Sequence, residues 1–300
     1  MKRIVLSVTS ILLLSFAFAS CGPEAQTGAV FSKYSAHACA APSPADTLPP
    51  DRIEKIKDSE MIRLEEGVAS GVPADDPESD AQRHFLLGKF DPAKHPGFVA
   101  IGPPYANRKG LFLQREAYAA FKKMADAARK DGVVLTIISA TRNFDYQKNI
   151  WEKKWANLQT QVKAPKDRAL KILEYSAMPG TSRHHWGTDI DLNDLNNAAF
   201  NPGGAQARMY AWMQEHAAKY GYCQPYTEKN EQRPTGYNEE KWHWSYRPIA
   251  DSLLRQYEIS VTDAMISGFQ GAENARTIGV VQNYVLGVAC KNEPATSTKK

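Results

Sequence analysis

Cysteine is scarce in this chain: four residues in 300, none spaced as CxxC, which argues against a zinc site built from thiolates. Net charge is also small. Lys and Arg number 37 against 33 Asp and Glu, a formal +4, and the charges are mixed along the helical stretches. A nucleic-acid binder would show a clustered basic excess, so no nucleic-acid partner is expected. No internal repeat is apparent, and no GxSxG nucleophile elbow surrounds Ser182. The apolar run from Ile4 to Ala19 is shorter than the roughly 20 residues a membrane-spanning helix needs.

What is present reads first as export. Lys2 and Arg3 precede that apolar run, which ends in small residues, the pattern of a signal peptide over 1–20. Phe18-Ala19-Ser20-Cys21 resembles a bacterial lipobox, with Phe18 where Leu is usual. A lipid on Cys21 would tether the protein to a membrane outside the cytoplasm, at the cell envelope. Residues 21–60 are rich in Ala, Pro, Ser and charge without a sustained period and read as a tether. Disulfides persist outside the cytoplasm. Cys223 and Cys290 both fall in the part expected to fold and are the favoured pair; the alternative is that Cys39 takes one partner and leaves a free thiol.

Hydrophobic residues make up 43% of the chain, enough for a globular core. Asp75-Asp76-Pro77-Glu78 reads as a loop, and the folded domain becomes clear near Phe85. Helical spacing of Tyr118, Phe121, Met124, Ala125 and Ala128 predicts a helix from Arg115 to Lys130, closed by Asp131-Gly132. Val133 to Ser139 is β-branched and reads as a buried strand. Further helices are expected over Asn143–Trp155, Lys166–Tyr175 and Ala205–Tyr220, with strands over Thr188–Leu192 and Lys241–Tyr246 and a mostly helical stretch from Pro248. The pattern describes one α+β domain over 61–290, with a small sheet flanked by helices and a polar, frayed tail over 291–300.

Two stretches carry chemistry: Ser182-Arg183-His184-His185-Trp186-Gly187-Thr188-Asp189-Ile190-Asp191 and Glu240-Lys241-Trp242-His243-Trp244. A catalytic zinc takes about three protein ligands and leaves a position for water. His184, Asp191 and His243 can be those ligands, and Glu240 can take the proton from the water. In a strand, Asp189 and Asp191 share one face and Thr188, Ile190 and Leu192 the other. Glu240 and His243 would point to opposite faces of an ideal strand, so a bulge or turn is expected between them. His84, His95 and His216 read as structural, and Trp242 and Trp244 as core or cleft walls.

The first stretch resembles the SxHxxGxAxD motif, and the second the ExWH motif, of the VanY-type D-alanyl-D-alanine carboxypeptidases, metallopeptidase family M15. Ser139-Ala140-Thr141-Arg142 followed by Gln147 is similar to the family's S-x-x-R segment. The resemblance covers roughly 85–260. It implies a small antiparallel sheet, zinc held by His184, Asp191 and His243, and Glu240 as catalytic base. It also implies Arg142 at the substrate carbonyl or carboxylate, with Gln147 and Ser182 holding the substrate and Trp242 shaping its pocket. Asp189 departs from the family's small residue and is expected either to orient a ligand imidazole or to touch substrate. The implied partner is a peptidoglycan stem peptide, cut at a terminal D-Ala-D-Ala bond by a monomer. A D,D-dipeptidase, an L,D-carboxypeptidase or an endopeptidase with the same site stays open. So do a non-catalytic wall-binding module and a structural metal site closed by Asp189 or His185.

Overall fold

The computed structural model describes residues 77–290. The export segment, Cys21, Cys39, the tether, the start of the domain at 61 and the tail over 291–300 lie outside the described residues. Helix α1 (Pro77–Leu86) opens the described part. Its first residue is the proline that reads as a loop signal in the sequence. Proline suits a first helical position, because the N–H it lacks would have no partner there anyway.

A short antiparallel pair, β1 (Phe98–Ala100) and β2 (Phe112–Gln114), leads straight into α2 (Arg115–Lys130). The predicted helix matches α2 in its bounds, and Phe121, Met124, Ala125 and Ala128 of its apolar stripe are buried; Ala117 joins them, while Tyr118 is only partly buried at the edge of the cluster. The expected strand over 133–139 shrinks to β3 (Ile137–Ser139). Upstream of it Val134 is exposed, and the Asn193 side chain replaces the ladder. Asn193 accepts from Thr136 N at 2.8 Å and donates to Val134 O at 2.9 Å, from a left-handed backbone conformation that Asn tolerates. Helix α3 (Phe144–Leu158) is capped by the Asn143 side chain, and α4 (Pro165–Ile172) follows.

The central sheet runs β3-β4-β6-β5, antiparallel throughout, with β4 at Asp189–Leu192, β5 at Tyr222–Cys223 and β6 at His243–Tyr246. Helix α5 (Ala207–His216) precedes β5, and α6 (Arg247–Ser260) follows β6 directly. A short helix, α7 (Ala275–Ile278), and a π-helical turn over Val281–Val285 lie in the C-terminal stretch. Alternation along β4 and β6 divides the sheet into two faces. Ile190, Leu192, Trp244 and Tyr246 join one hydrophobic cluster with Phe121 and Met124 of α2 and Trp212 and Met213 of α5. Asp189, Asp191, His243 and Ser245 take the other face, and all four are buried.

Beyond that face a second cluster gathers Trp151 and Trp155 of α3, Leu173, Trp186, and Tyr257 of α6. Cys223 and Cys290 form a disulfide with a sequence separation of 67, fastening the C-terminal segment to β5. No helix among the described residues is long and apolar enough to cross a membrane.

Candidate metal centre

The polar face of β4 and β6 is where the two chemical stretches meet. Register sets Asp191 opposite His243 and Asp189 opposite Ser245. The segment Arg183–Trp186 forms one 3-10 turn, and Gly187, at φ 70°, swings the chain from that turn into β4. A Cβ on Gly187 would sit 2.2 Å from the Phe98 ring, so the close approach also demands glycine. This turn brings the His184 ring within 4.7 Å of the His243 ring, centroid to centroid. His184, Asp191 and His243 each offer a ligand atom, and the three atoms lie within 4.8 Å of one another.

The hydrogen bonds fix which atoms are free. His184 Nδ1 lies 2.8 Å from Ala140 O and can only donate to that carbonyl, leaving Nε2 with its lone pair. That Nε2 and Asp191 Oδ1 are both buried without a hydrogen-bond partner. His243 Nε2 lies 2.8 Å from Asp189 Oδ2, so its Nδ1 faces Asp191 Oδ1 at 3.1 Å and Glu240 Oε2 at 3.4 Å. Buried polar atoms without partners are costly. A cation shared by Nε2, Oδ1 and Nδ1 satisfies all of them at once. Two imidazoles and one carboxylate are the donor set of a catalytic zinc with a fourth position left over, so the residues fit that metal.

Asp189 is the surrounding partner of this centre. Its carboxylate takes His243 at 2.8 Å, Arg183 Nε at 3.0 Å, Ser245 Oγ at 2.8 Å and Thr188 Oγ1 at 2.7 Å. Burial alone would raise its pKa, but Arg183 and His243 override that and hold it well below the usual carboxylate range. A group so fully used by protein donors orients the imidazole and has no edge left for substrate. Arg183, which the sequence reading left without a role, supplies the compensating charge and also lies over the Trp186 ring. Its only signal in the sequence is its place inside the motif.

Glu240 opens a turn rather than lying in a strand. His243 N donates to Glu240 O at 3.2 Å, and β6 begins only at His243. The expected turn is therefore present, and the strand expected from Lys241 is shorter by its first two residues. Asn197 holds the turn from both sides, donating to Glu239 O at 2.7 Å and accepting from Lys241 N at 3.0 Å. Burial raises the Glu240 pKa, with His243 pulling the other way. Burial would lower that of His243, yet Asp189, Asp191 and Glu240 around the ring hold it well above the usual histidine value.

Arg142 reaches the centre through a clamped loop. His184 holds Ala140 O, and His185 Nδ1 holds Arg142 O at 2.6 Å while its Nε2 accepts from Gly180 N at 3.0 Å. Both His185 nitrogens are thus spent on backbone, which excludes it as a closing metal ligand in this arrangement. The Arg142 guanidinium lies 3.7 Å from Asp191 Oδ2 and 3.3 Å from Ser139 Oγ. A cavity of about 450 Å³ opens beside it, lined by Arg142, Lys154, Tyr175, Asp191, Glu240 and Trp242 among others.

The sequence-predicted site residues divide accordingly. Arg142, Asp191, Glu240 and Trp242 line the cavity, with His184 and His243 behind them. Gln147 and Ser182 do not. Gln147 is buried with its amide nitrogen on Ala177 O at 2.8 Å, and Ser182 is buried at the start of the 3-10 turn. Trp244 is on the opposite, apolar face of the sheet. Lys154 and Tyr175 also line the cavity and carry no signal in the sequence, because neither lies in a motif.

Fold and site together define a class: an α+β scaffold presenting two buried histidines, an aspartate and a facing glutamate, a candidate metal centre with a carboxylate beside it. Residues 110–249 match the family model VanY, D-alanyl-D-alanine carboxypeptidase. The chain is 33% identical over 136 residues to the Bacillus subtilis (strain 168) protein YodJ, named a carboxypeptidase; the match covers 45% of this chain and 46% of that protein. It is 28% identical over 121 residues to a D-alanyl-D-alanine carboxypeptidase of Enterococcus faecalis (strain ATCC 700802 / V583), covering 40% and 43% respectively. The chain thus spans less than half the length of these curated relatives. Among solved structures it is similar to VanYB in complex with D-alanine-D-alanine, at 22% identity and a TM-score of 0.40, covering 54% of this chain and 88% of that one. It is also similar to the LdcB LD-carboxypeptidase, at 26% identity and a TM-score of 0.43, covering 57% and 80%.

Proposed function

We propose that this protein is a zinc-dependent carboxypeptidase that removes the terminal D-alanine from peptidoglycan stem peptides ending in D-Ala-D-Ala. The observation that carries the reading is the convergence of His184 Nε2, Asp191 Oδ1 and His243 Nδ1 on one point, with Glu240 Oε2 at 3.4 Å from that same His243 nitrogen.

His184, Asp191 and His243 would hold the zinc, which when bound supplies a Lewis acid that activates water and the scissile carbonyl at neutral pH. Asp189 keeps His243 in the tautomer with Nδ1 toward the centre. Glu240, buried and raised in pKa, takes a proton from the attacking water at a carboxylate oxygen and returns it to the leaving amine. The Arg142 guanidinium opposes the negative charge that grows on the substrate carbonyl oxygen. Trp242 and Tyr175 wall the cavity and keep bulk water from the reacting bond. Work outside the cytoplasm belongs to the same proposal and is supported by the Cys223–Cys290 disulfide.

The test is mass-spectrometric digestion of a synthetic stem pentapeptide ending in D-Ala-D-Ala by the zinc-loaded protein, with Glu240→Ala beside it. Loss of one D-alanine by the wild type, falling by about 10²–10⁴ in the variant with zinc still bound, is the expected result. Release of a dipeptide or an internal cut would keep the site and change the bond. Absence of any cleavage with zinc bound would overturn the catalytic reading.

A further inference from the structure

Lys154 is a cation in the cavity wall that the hydrolytic machinery does not use. It lies on α3, one turn beyond Ile150, which also lines the cavity. The flanking Trp151 and Trp155 are buried in the second hydrophobic cluster and anchor the helix that carries it. Its Nζ donates to Ser176 Oγ at 2.5 Å, a neutral partner. Among the described residues, no carboxylate lies within the 4.0 Å of an ion pair. Burial pulls its pKa down from the usual lysine value, with the charge of Glu240 opposing and that of Arg142 adding to the fall. All three side chains line the same cavity.

The charges in that cavity are unevenly spent. Asp191 faces the metal centre, and Glu240 faces the same centre as the proton carrier. Arg142 has a buried Nε without a hydrogen-bond partner. The Lys154 end is thus a half-buried ammonium sharing its cavity with a second cation and, among the described residues, hydrogen-bonded only to a hydroxyl. Such a group is at its most stable when an anion enters the cavity. A peptide ending in a free carboxylate brings one anion, and a stem whose third residue is a diamino acid with a side-chain carboxylate brings another. Lysine's compact point charge suits either.

We propose that Lys154 receives a carboxylate of the peptide substrate and selects for peptides that place one there. This rests on the carboxypeptidase reading for the identity of the ligand. Lys154 is a specificity residue and not part of the bond-breaking step.

The experiment compares three synthetic stems on the zinc-loaded full chain: one with meso-diaminopimelate as third residue, the same stem with that side-chain carboxylate amidated, and the same stem with the C-terminal carboxylate amidated. Wild type, Lys154→Met and Lys154→Arg are compared by kcat/KM, and binding to the Glu240→Ala background is measured by calorimetry. In Lys154→Met the preference for the acid stem over one amidated partner should collapse by about tenfold to a hundredfold, in KM more than kcat, and Lys154→Arg should restore most of it. The amidated partner that loses its disadvantage identifies which carboxylate docks. Equal losses on all three stems, or unchanged preferences, would overturn the proposal. If no stem is hydrolysed, the calorimetry still decides: acid-stem affinity independent of Lys154, or no binding, counts against it.

Discussion

At the scale of single residues, the centre is governed by which nitrogen of each imidazole is already taken. His184 and His243 use opposite nitrogens, Nε2 and Nδ1, because Ala140 O and Asp189 Oδ2 claim the others. Asp189→Asn keeps the shape and removes the charge that makes His243 a good ligand. Zinc affinity, read by competition with a chromogenic chelator, should fall by about tenfold to a hundredfold; an unchanged affinity would remove Asp189 from that role. His185 gives a pH prediction. Its pKa in the fold is pushed down to about 3 by burial, against an ordinary 6.5. Between those values the unfolded chain binds a proton that the fold refuses, so stability rises with pH there. The contribution is fully present above about 6.5 and is lost as pH falls toward 3. Denaturant melts of metal-free protein from pH 7 to pH 4 should show a shallower slope in His185→Gln than in wild type; equal slopes would contradict the assignment.

At the scale of elements, legibility followed whether a pattern was set locally. Helix α2 was readable because its apolar stripe is also its buried face. The polar face of β4 was readable from the alternation of Asp189 and Asp191. What stayed hidden was set by distant partners. Asn193, far along the chain, takes the hydrogen bonds that would have extended β3 toward Val133. Asn197 shapes the turn that delivers Glu240. The motif residues were legible as types, but the roles of Arg183 and Asp189 needed the sheet register to appear. Gly187 is the joint between motif turn and strand. Gly187→Ala would combine a left-handed backbone with a clash on Phe98, costing at least about 2 kcal/mol. Thermal melts should show a lower midpoint and zinc titration a weaker site; a wild-type melt would mean that the joint relaxes freely.

At the scale of the whole molecule, the sheet separates two hydrophobic clusters and carries the centre on its inner, buried face. A cation there stabilises the fold as well as the chemistry, because the unfolded chain does not assemble the three ligands. With free zinc at about a hundred times its Kd, the linkage adds about 2.7 kcal/mol. For a domain of this size that corresponds to a Tm rise on the order of 5–10 °C. Calorimetric scans with and without chelator check it, and identical midpoints would argue against a bound metal.

The clamp on the Arg142 loop has a further consequence. His184 bonds Ala140 O with one nitrogen and offers the other to the metal centre, so the centre and the loop carrying the cavity-lining Arg142 are joined through its imidazole. Occupancy at one end then biases order at the other. Because such coupling is reciprocal, zinc should tighten peptide binding by the same factor by which peptide tightens zinc. A protein built this way would hold its metal most firmly while peptide is bound, so a metal-poor surrounding would strip the empty molecule before the occupied one.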